Sequence, residues 1–316
     1  MMRHYLKYTL IAGLFCATSA LADDNHSHWQ SSKWGAEDTL GAMNYLSNKA
    51  TLDAASLVKQ GKSVSLGIVT GSKTPAYAPR NFNVLVVQPG QVGDATLGPK
   101  GMVYNDEILH TWVGIGSQID GLGHVGIDHV YYNGTPAADF AAPTGLTKFG
   151  TEHLPPVATR GVVLDIAGLR GVTMMAEGDA ITAEDIIAAE KRQGVTIREG
   201  DVVLLHTGWL DIIETDPKRF ASVEPGLGLG GADYLVSKNV VAIGADNWAL
   251  EVLPAEEGAG VFEVHQVLLA KSGTYILENM NTRPLVEDGV SEFMFVLGTP
   301  RIEGTVQAMI NPVALY

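Results

Sequence analysis

Three nearly continuous apolar runs constrain this chain more than any other feature: GVVLDIAG (161–168), GDVVLLHTGW (200–209) and NVVAIGADNW (239–248). A strand with one wet face alternates apolar and polar residues, whereas a strand covered on both faces does not. The runs therefore predict central strands with a layer on each side. Between the first two lies ITAEDIIAAEKRQGV. Thr182 suits a helix N-cap with Asp185 three residues on. Ile186, Ile187 and Ala189 give an apolar face, and Gly194 suits a left-handed C-terminus. Strand, helix, strand in that order predicts an α/β fold with some parallel pairing.

SVSLGIVTG (63–71) and NVLVVQPG (83–90) also read as strands, since both are β-branched and end in turn residues. FEVHQVLLAKSG reads as a helix stopped by Gly273, and TYILEN as a strand ending at Glu278. The 36 glycines are spread along the chain rather than gathered in a linker, so a single domain over 23–316 is expected. The first residues stand apart. Arg3 and Lys7 precede an apolar run, and Ala20-Leu21-Ala22 precedes Asp23. This is the layout of a secretory signal peptide over 1–22, and it predicts export to the periplasm or the medium.

Cys16 is the only cysteine. Cleavage of the signal would remove it, so neither disulfides nor cysteine catalysis is expected. The net charge of −14 argues against nucleic acid or an anionic membrane as partner and leaves a small molecule. PGLGLGGADYL (225–235) matches the glycine spacing of a dinucleotide loop, but it follows Pro225 rather than a convincing strand. A loop shaping a pocket or a subunit contact is the better reading.

The polar residues of GSQIDGLGH (116–124) are the chemical candidates. If TWVGIGSQIDG is a strand up to about Asp120, Gln118 and Asp120 share a face. Gly121 and Gly123 then allow a sharp turn that returns His124 over the strand end. Such a motif also occurs as a polar turn that only satisfies loop amides. A second pair lies far away, with His265 on the late helix and Glu278 at the end of the strand after it. One histidine with two carboxylates suits Zn²⁺ or Mn²⁺, but spacing alone does not join this pair to Asp120.

The window GIGSQIDGLGH (114–124) resembles the signature H-x-G-T-H-x-D-x-P-x-H of the cyclase-like metal-dependent hydrolase family, which includes kynurenine formamidase and isatin hydrolase. HQVLLAKSGTYILEN resembles the family's later histidine and glutamate. WGAEDTLGAMNYL and FMFVLGTPRIEGTVQAMINPVAL are similar to its larger branch. The resemblance implies a swivelling β/β/α domain, assembled as a homodimer or homotetramer. It implies Asp120, His265 and Glu278 as metal ligands and His124 as catalytic acid or base.

Two signature histidines are missing. Gly114 and Gln118 occupy their positions, and Leu122 replaces the proline. Gln118 offers only a neutral amide oxygen. The remaining oxygen-rich set, Asp120, His265 and Glu278 joined by Gln118 and water, suits one divalent ion, Mn²⁺ as readily as Zn²⁺. His110 and His129 fall outside the signature positions.

The expected activity is metal-dependent hydrolysis of a small amide, lactam or cyclic imide. Trp34 and Trp248 are candidates for an aromatic substrate wall, with core packing as the alternative. Two rival readings stand beside this one. The first is a periplasmic small-molecule binding protein that kept the fold and lost catalysis. The second is a metal-independent hydrolase in which Asp120 orients His124.

Overall fold

A nine-stranded mixed sheet carries the fold. The structure is a computed structural model that describes Trp29, residues 31–87 and residues 96–316. The signal-peptide reading of 1–22, with Cys16, lies outside the described residues. The strands of this sheet and of the longest separate pair are β1 (Ser63–Ser65), β2 (Phe82–Val87), β3 (Asp106–Thr111), β4 (Gln118–Asp120), β5 (Val157–Asp165), β6 (Val202–His206), β7 (Ala242–Ala245), β8 (Tyr275–Glu278), β9 (Glu292–Leu297), β10 (Gln307–Met309) and β11 (Val313–Leu315). The large sheet runs β1-β11-β9-β5-β6-β7-β8-β4-β10, and among the described residues β2 pairs only with β3.

The three apolar runs supply β5, β6 and β7, which pair in parallel, and β8 extends the parallel set. Val162, Val163 and Leu164 of β5 are buried on successive positions, as are Val202 to Leu205 of β6. Both faces of these strands are therefore covered, which is why their sequences do not alternate. Helix α1 (Asn48–Ala55) packs against β5, and helix α2 (Ala183–Gln193) packs against α3 (Leu229–Ser237). Helix α2 has the reciprocal capping box between Thr182 and Asp185 and ends at Gly194 with φ 69°. This mixed α/β arrangement is the fold class expected from the sequence.

Several elements are shorter than the sequence suggests. The 63–71 strand is limited to Ser63–Ser65, and that expected over 83–90 ends at Val87 among the described residues. The strand expected up to Asp120 begins only at Gln118. Gly116 has φ 69°, a left-handed conformation that ends extended pairing upstream of Gln118. The late helix is one α-helical turn, Glu263–His265, followed by a π-helix over Gln266–Ser272 and closed by Gly273 at φ 68°. Widened turns of this kind re-aim side chains and recur at functional sites.

The glycine-rich stretch is used for close packing. A Cβ at Gly226 would meet Leu250 O at 2.5 Å, and one at Gly231 would meet Ile181 O at 2.5 Å. Gly228 serves as the N-cap of α3. No helix among the described residues is long and apolar enough to cross a membrane.

Candidate metal centre

The register of three strands builds the floor of the site. Glu278 on β8 lies opposite Gln118 on β4, and Asp120 on β4 lies opposite Gln307 on β10. Directly opposed residues of antiparallel strands share a face, as do residues two apart on one strand. Gln118, Asp120, Glu278 and Gln307 therefore all project from one face at this end of the sheet. The turn after β4 adds His124, whose backbone N–H donates to Gly121 O at 3.0 Å. Gly121 is needed there for close approach rather than for a left-handed bend, since a Cβ would meet Val306 O at 2.7 Å.

His265 reaches the same floor from the α/π segment. Its Nε2 lies 3.4 Å from Glu278 Oε1 and 3.8 Å from Asp120 Oδ2. Asp120, His265 and Glu278 each offer a ligand atom, and these atoms all lie within 4.8 Å of one another. All three residues are buried. The structure thus joins the pair His265 and Glu278 to Asp120, which spacing in the sequence could not do.

The two oxygens of Asp120 have different surroundings. Oδ1 accepts from Gln118 Nε2 at 3.0 Å and from Gln307 Nε2 at 2.6 Å. Oδ2 is buried with no hydrogen-bond partner among the described residues. Leaving a buried charged acceptor unmet costs more than about 1–3 kcal/mol, so such an atom calls for a ligand. A divalent cation fits the donor set, which has two carboxylates and one imidazole. Gln118 enters this arrangement through its amide nitrogen, as a donor that fixes Asp120.

Glu251 completes the site and has no counterpart among the residues the sequence singled out. Its Oε1 lies 2.5 Å from His265 Nδ1. Its Oε2 accepts from Val264 N at 3.1 Å. A carboxylate on one ring nitrogen fixes the tautomer and leaves the other nitrogen for an ion, the usual arrangement of metal-bound histidine. Glu251 sits in the stretch GADNWALE, where Trp248 draws the eye instead. Buried Glu224 holds that loop by accepting from Trp248 N at 2.9 Å and Ala249 N at 3.0 Å.

The protonation states follow from these contacts. Burial alone would depress the His265 pKa, but hydrogen bonds to Glu251 and Glu278 carry it up to about 10. Burial, with the charge of Asp120 added, raises Glu278 to about 7. Burial lowers His124 below its ordinary value against the pull of Asp120, and the nearby His265 and Arg80 charges act in the same direction as burial. Gln307 Nε2 approaches His124 Nε2 at 3.4 Å, which suits an unprotonated ring nitrogen there.

A cavity of about 280 Å³ opens onto this floor and is lined in part by Gln118, His124, His265 and Glu278. Its aromatic wall contains Trp248 stacked on Tyr77 with ring centres 5.9 Å apart, and Phe262 edge-on to both. Trp34 does not line it: that ring packs edge-on against Tyr45 at 4.9 Å, and Lys33 lies over it. The expectation of a substrate wall from both tryptophans is corrected for Trp34, whose position is decided by local packing. His110 and His129 are exposed and outside the cluster. His206 is buried elsewhere, paired through Nδ1 with Thr282 Oγ1 at 2.7 Å and Asp246 Oδ2 at 3.1 Å.

The fold and site define a mixed α/β protein with a buried carboxylate–histidine cluster under an aromatic cavity. The family model described as "Cyclase: Putative cyclase" matches residues 63–252, and the chain belongs to this family. The match takes in Asp120, His124 and Glu251 and ends before His265. Among solved structures, one titled a novel cyclase is 28% identical with TM-score 0.81, covering 90% of this chain and 96% of that one. Isatin hydrolase A from Ralstonia solanacearum is 17% identical with TM-score 0.61, covering 80% and 91%. An isatin hydrolase bound to the product analogue thioisatinate is 18% identical with TM-score 0.58, covering 86% and 99%. At those last two identities the likeness is one of fold. No curated protein sequence matches the chain significantly.

Proposed function

We propose that this protein is a metal-dependent hydrolase of a small amide, lactam or cyclic imide. The observation that carries the reading is the unmet, buried Oδ2 of Asp120 beside His265 Nε2, with Glu251 holding the other ring nitrogen. Asp120, His265 and Glu278 would hold one divalent ion, Mn²⁺ or Zn²⁺. When bound, such an ion acidifies water and polarises a carbonyl oxygen.

The chain's own residues do the rest. Gln118 and Gln307 pin Asp120 Oδ1, so the carboxylate cannot rotate away from the cluster. His124, kept neutral near pH 7 by burial, takes the proton of the attacking water and passes it to the leaving nitrogen. Tyr77, Trp248 and Phe262 stack against a planar substrate and keep bulk water from one side. The metal-independent alternative gains no support, because Asp120 spends its hydrogen bonds on two amides and makes none to His124 among the described residues.

A hydrolysis screen over formamides, cyclic imides and isatin-like lactams tests the reading. Turnover of at least one class is expected, lost on chelation and restored by Mn²⁺ or Zn²⁺. His124→Ala should lower kcat by about 10²–10⁴ while the metal content stays the same. Tight binding without turnover, with metal supplied, would make this a binding protein. Turnover that survives strict chelation would remove the metal from the mechanism.

The assembly and its location are also proposals. Among the described residues the β2–β3 hairpin pairs with no other strand, and it exposes apolar residues on both faces, Val84 and Leu109 on one, Leu85 and Ile108 on the other. A lone two-stranded hairpin is marginal in water, so this supports a homodimer or homotetramer that covers it. The leader-like sequence pattern over 1–22 supports export, which would put the site to work in the periplasm or the medium.

A further inference from the structure

Gly114 stands where the family signature has its first histidine, and the space beside it is filled. A Cβ on Gly114 would meet Gln307 Oε1 at 2.6 Å, Arg80 Nη1 at 2.8 Å and Gln307 Nε2 at 2.9 Å. The missing imidazole has therefore been replaced by a guanidinium and a carboxamide. The Arg80 side chain makes one hydrogen bond among the described residues, Nη1 to Gly114 O at 2.8 Å. It lines the same cavity as His124 and Glu278. Among the described residues no carboxylate lies within ion-pair distance of it, whereas Arg160, Arg170, Arg192, Arg219 and Arg283 all have one.

A guanidinium has five N–H donors in a fixed fork, and among the described residues one of them has a partner. Its natural complement is a planar anion bound edge-on. The same turn that carries Arg80, closed by Arg80 N donating to Tyr77 O at 3.0 Å, also carries Tyr77 of the aromatic wall. One turn thus delivers a ring surface and a cation to one cavity.

We infer that Arg80 is a specificity-determining residue for a substrate carboxylate, so that the substrate is a small planar amide bearing a carboxylate beside the scissile bond. This rests on the reading of the cavity as the active site. The carboxylate would occupy the open side of the guanidinium, with the ring against Tyr77 and Trp248. Loss of the first signature histidine and gain of an anion subsite are then one change, because a side chain at position 114 would displace both Arg80 and Gln307.

Calorimetric titration of the full protein with benzoate and with benzamide tests this without turnover. Both ligands offer the same ring, and only one is charged. The metal content of wild type and variants is measured and matched, and each titration is repeated after chelation. Wild type should bind benzoate at least about tenfold more tightly than benzamide. Arg80→Gln should lose that preference through benzoate alone, and Arg80→Lys should regain part of it. Equal affinities in the wild type, no binding of benzoate, or a preference that persists in Arg80→Gln would each overturn the subsite. The amide screen fails or succeeds separately. A preference that depends on Arg80 with no amide turned over would leave the subsite and remove the hydrolase reading, while turnover with no preference would do the reverse.

Discussion

His265 and Glu251 meet through a 2.5 Å contact between Nδ1 and Oε1, and this contact aims the opposite ring nitrogen at Asp120 and Glu278. Glu251 is a positioning residue, since it acts on an ion only through the imidazole. Glu251→Gln should weaken binding of Mn²⁺ or Zn²⁺ by about 10–100-fold. It should also bring the His265 pKa down from about 10 in the metal-free protein, because one of its two carboxylate partners is gone. Metal titration and NMR of the imidazole read the two effects. An unchanged metal affinity would leave Glu251 as a helix-capping residue only.

Metal uptake should release protons in a pH-dependent number. His265 is protonated below about 10 and Glu278 below about 7 in the metal-free site. An ion takes both in their deprotonated forms, so it displaces whatever protons they carry. Near pH 8.5 about one proton should leave per ion, from His265; near pH 6, about two should leave, as Glu278 adds its own. Affinity therefore rises as pH rises through this window. Calorimetry in buffers of different ionisation enthalpy counts the protons directly, and a count of zero at both pH values would show that the ion does not bind these groups.

The β2–β3 hairpin should decide the assembly state. Leu85 and Ile108 are opposed in register and more than half exposed. Leu85→Glu with Ile108→Glu places like charges across one face of the hairpin, where a partner would otherwise cover apolar surface. Light scattering on a sizing column should find an assembly for the wild type and monomers for the double variant, with unchanged circular dichroism. An intact assembly in the variant would locate the contact elsewhere.

The central strands and helix α2 were legible because their signals are local. β5, β6 and β7 are apolar at consecutive positions, and α2 has its capping box and closing glycine in one short window. The boundaries were less legible. Gly116 reads as one glycine among many, and only its left-handed φ of 69° shows why β4 starts as late as Gln118.

Asp120, His124, His265 and Glu278 could be named from the sequence, since their residue types and the family signature mark them. That Asp120 and Glu278 share one floor was decided by strand register, which sets Glu278 opposite Gln118 and Asp120 opposite Gln307, and the α/π segment brings His265 onto it. Glu251, Gln307 and Arg80 had no local mark. Each acts by contact with a residue 14, 187 or 34 positions away, and such contacts exist only once the sheet is formed. Trp34 and Trp248 look alike as sequence, yet one packs on Tyr45 and the other faces the cavity. Residue type and period fixed what this chain could offer; long-range pairing of β4, β8 and β10 decided which of those groups meet.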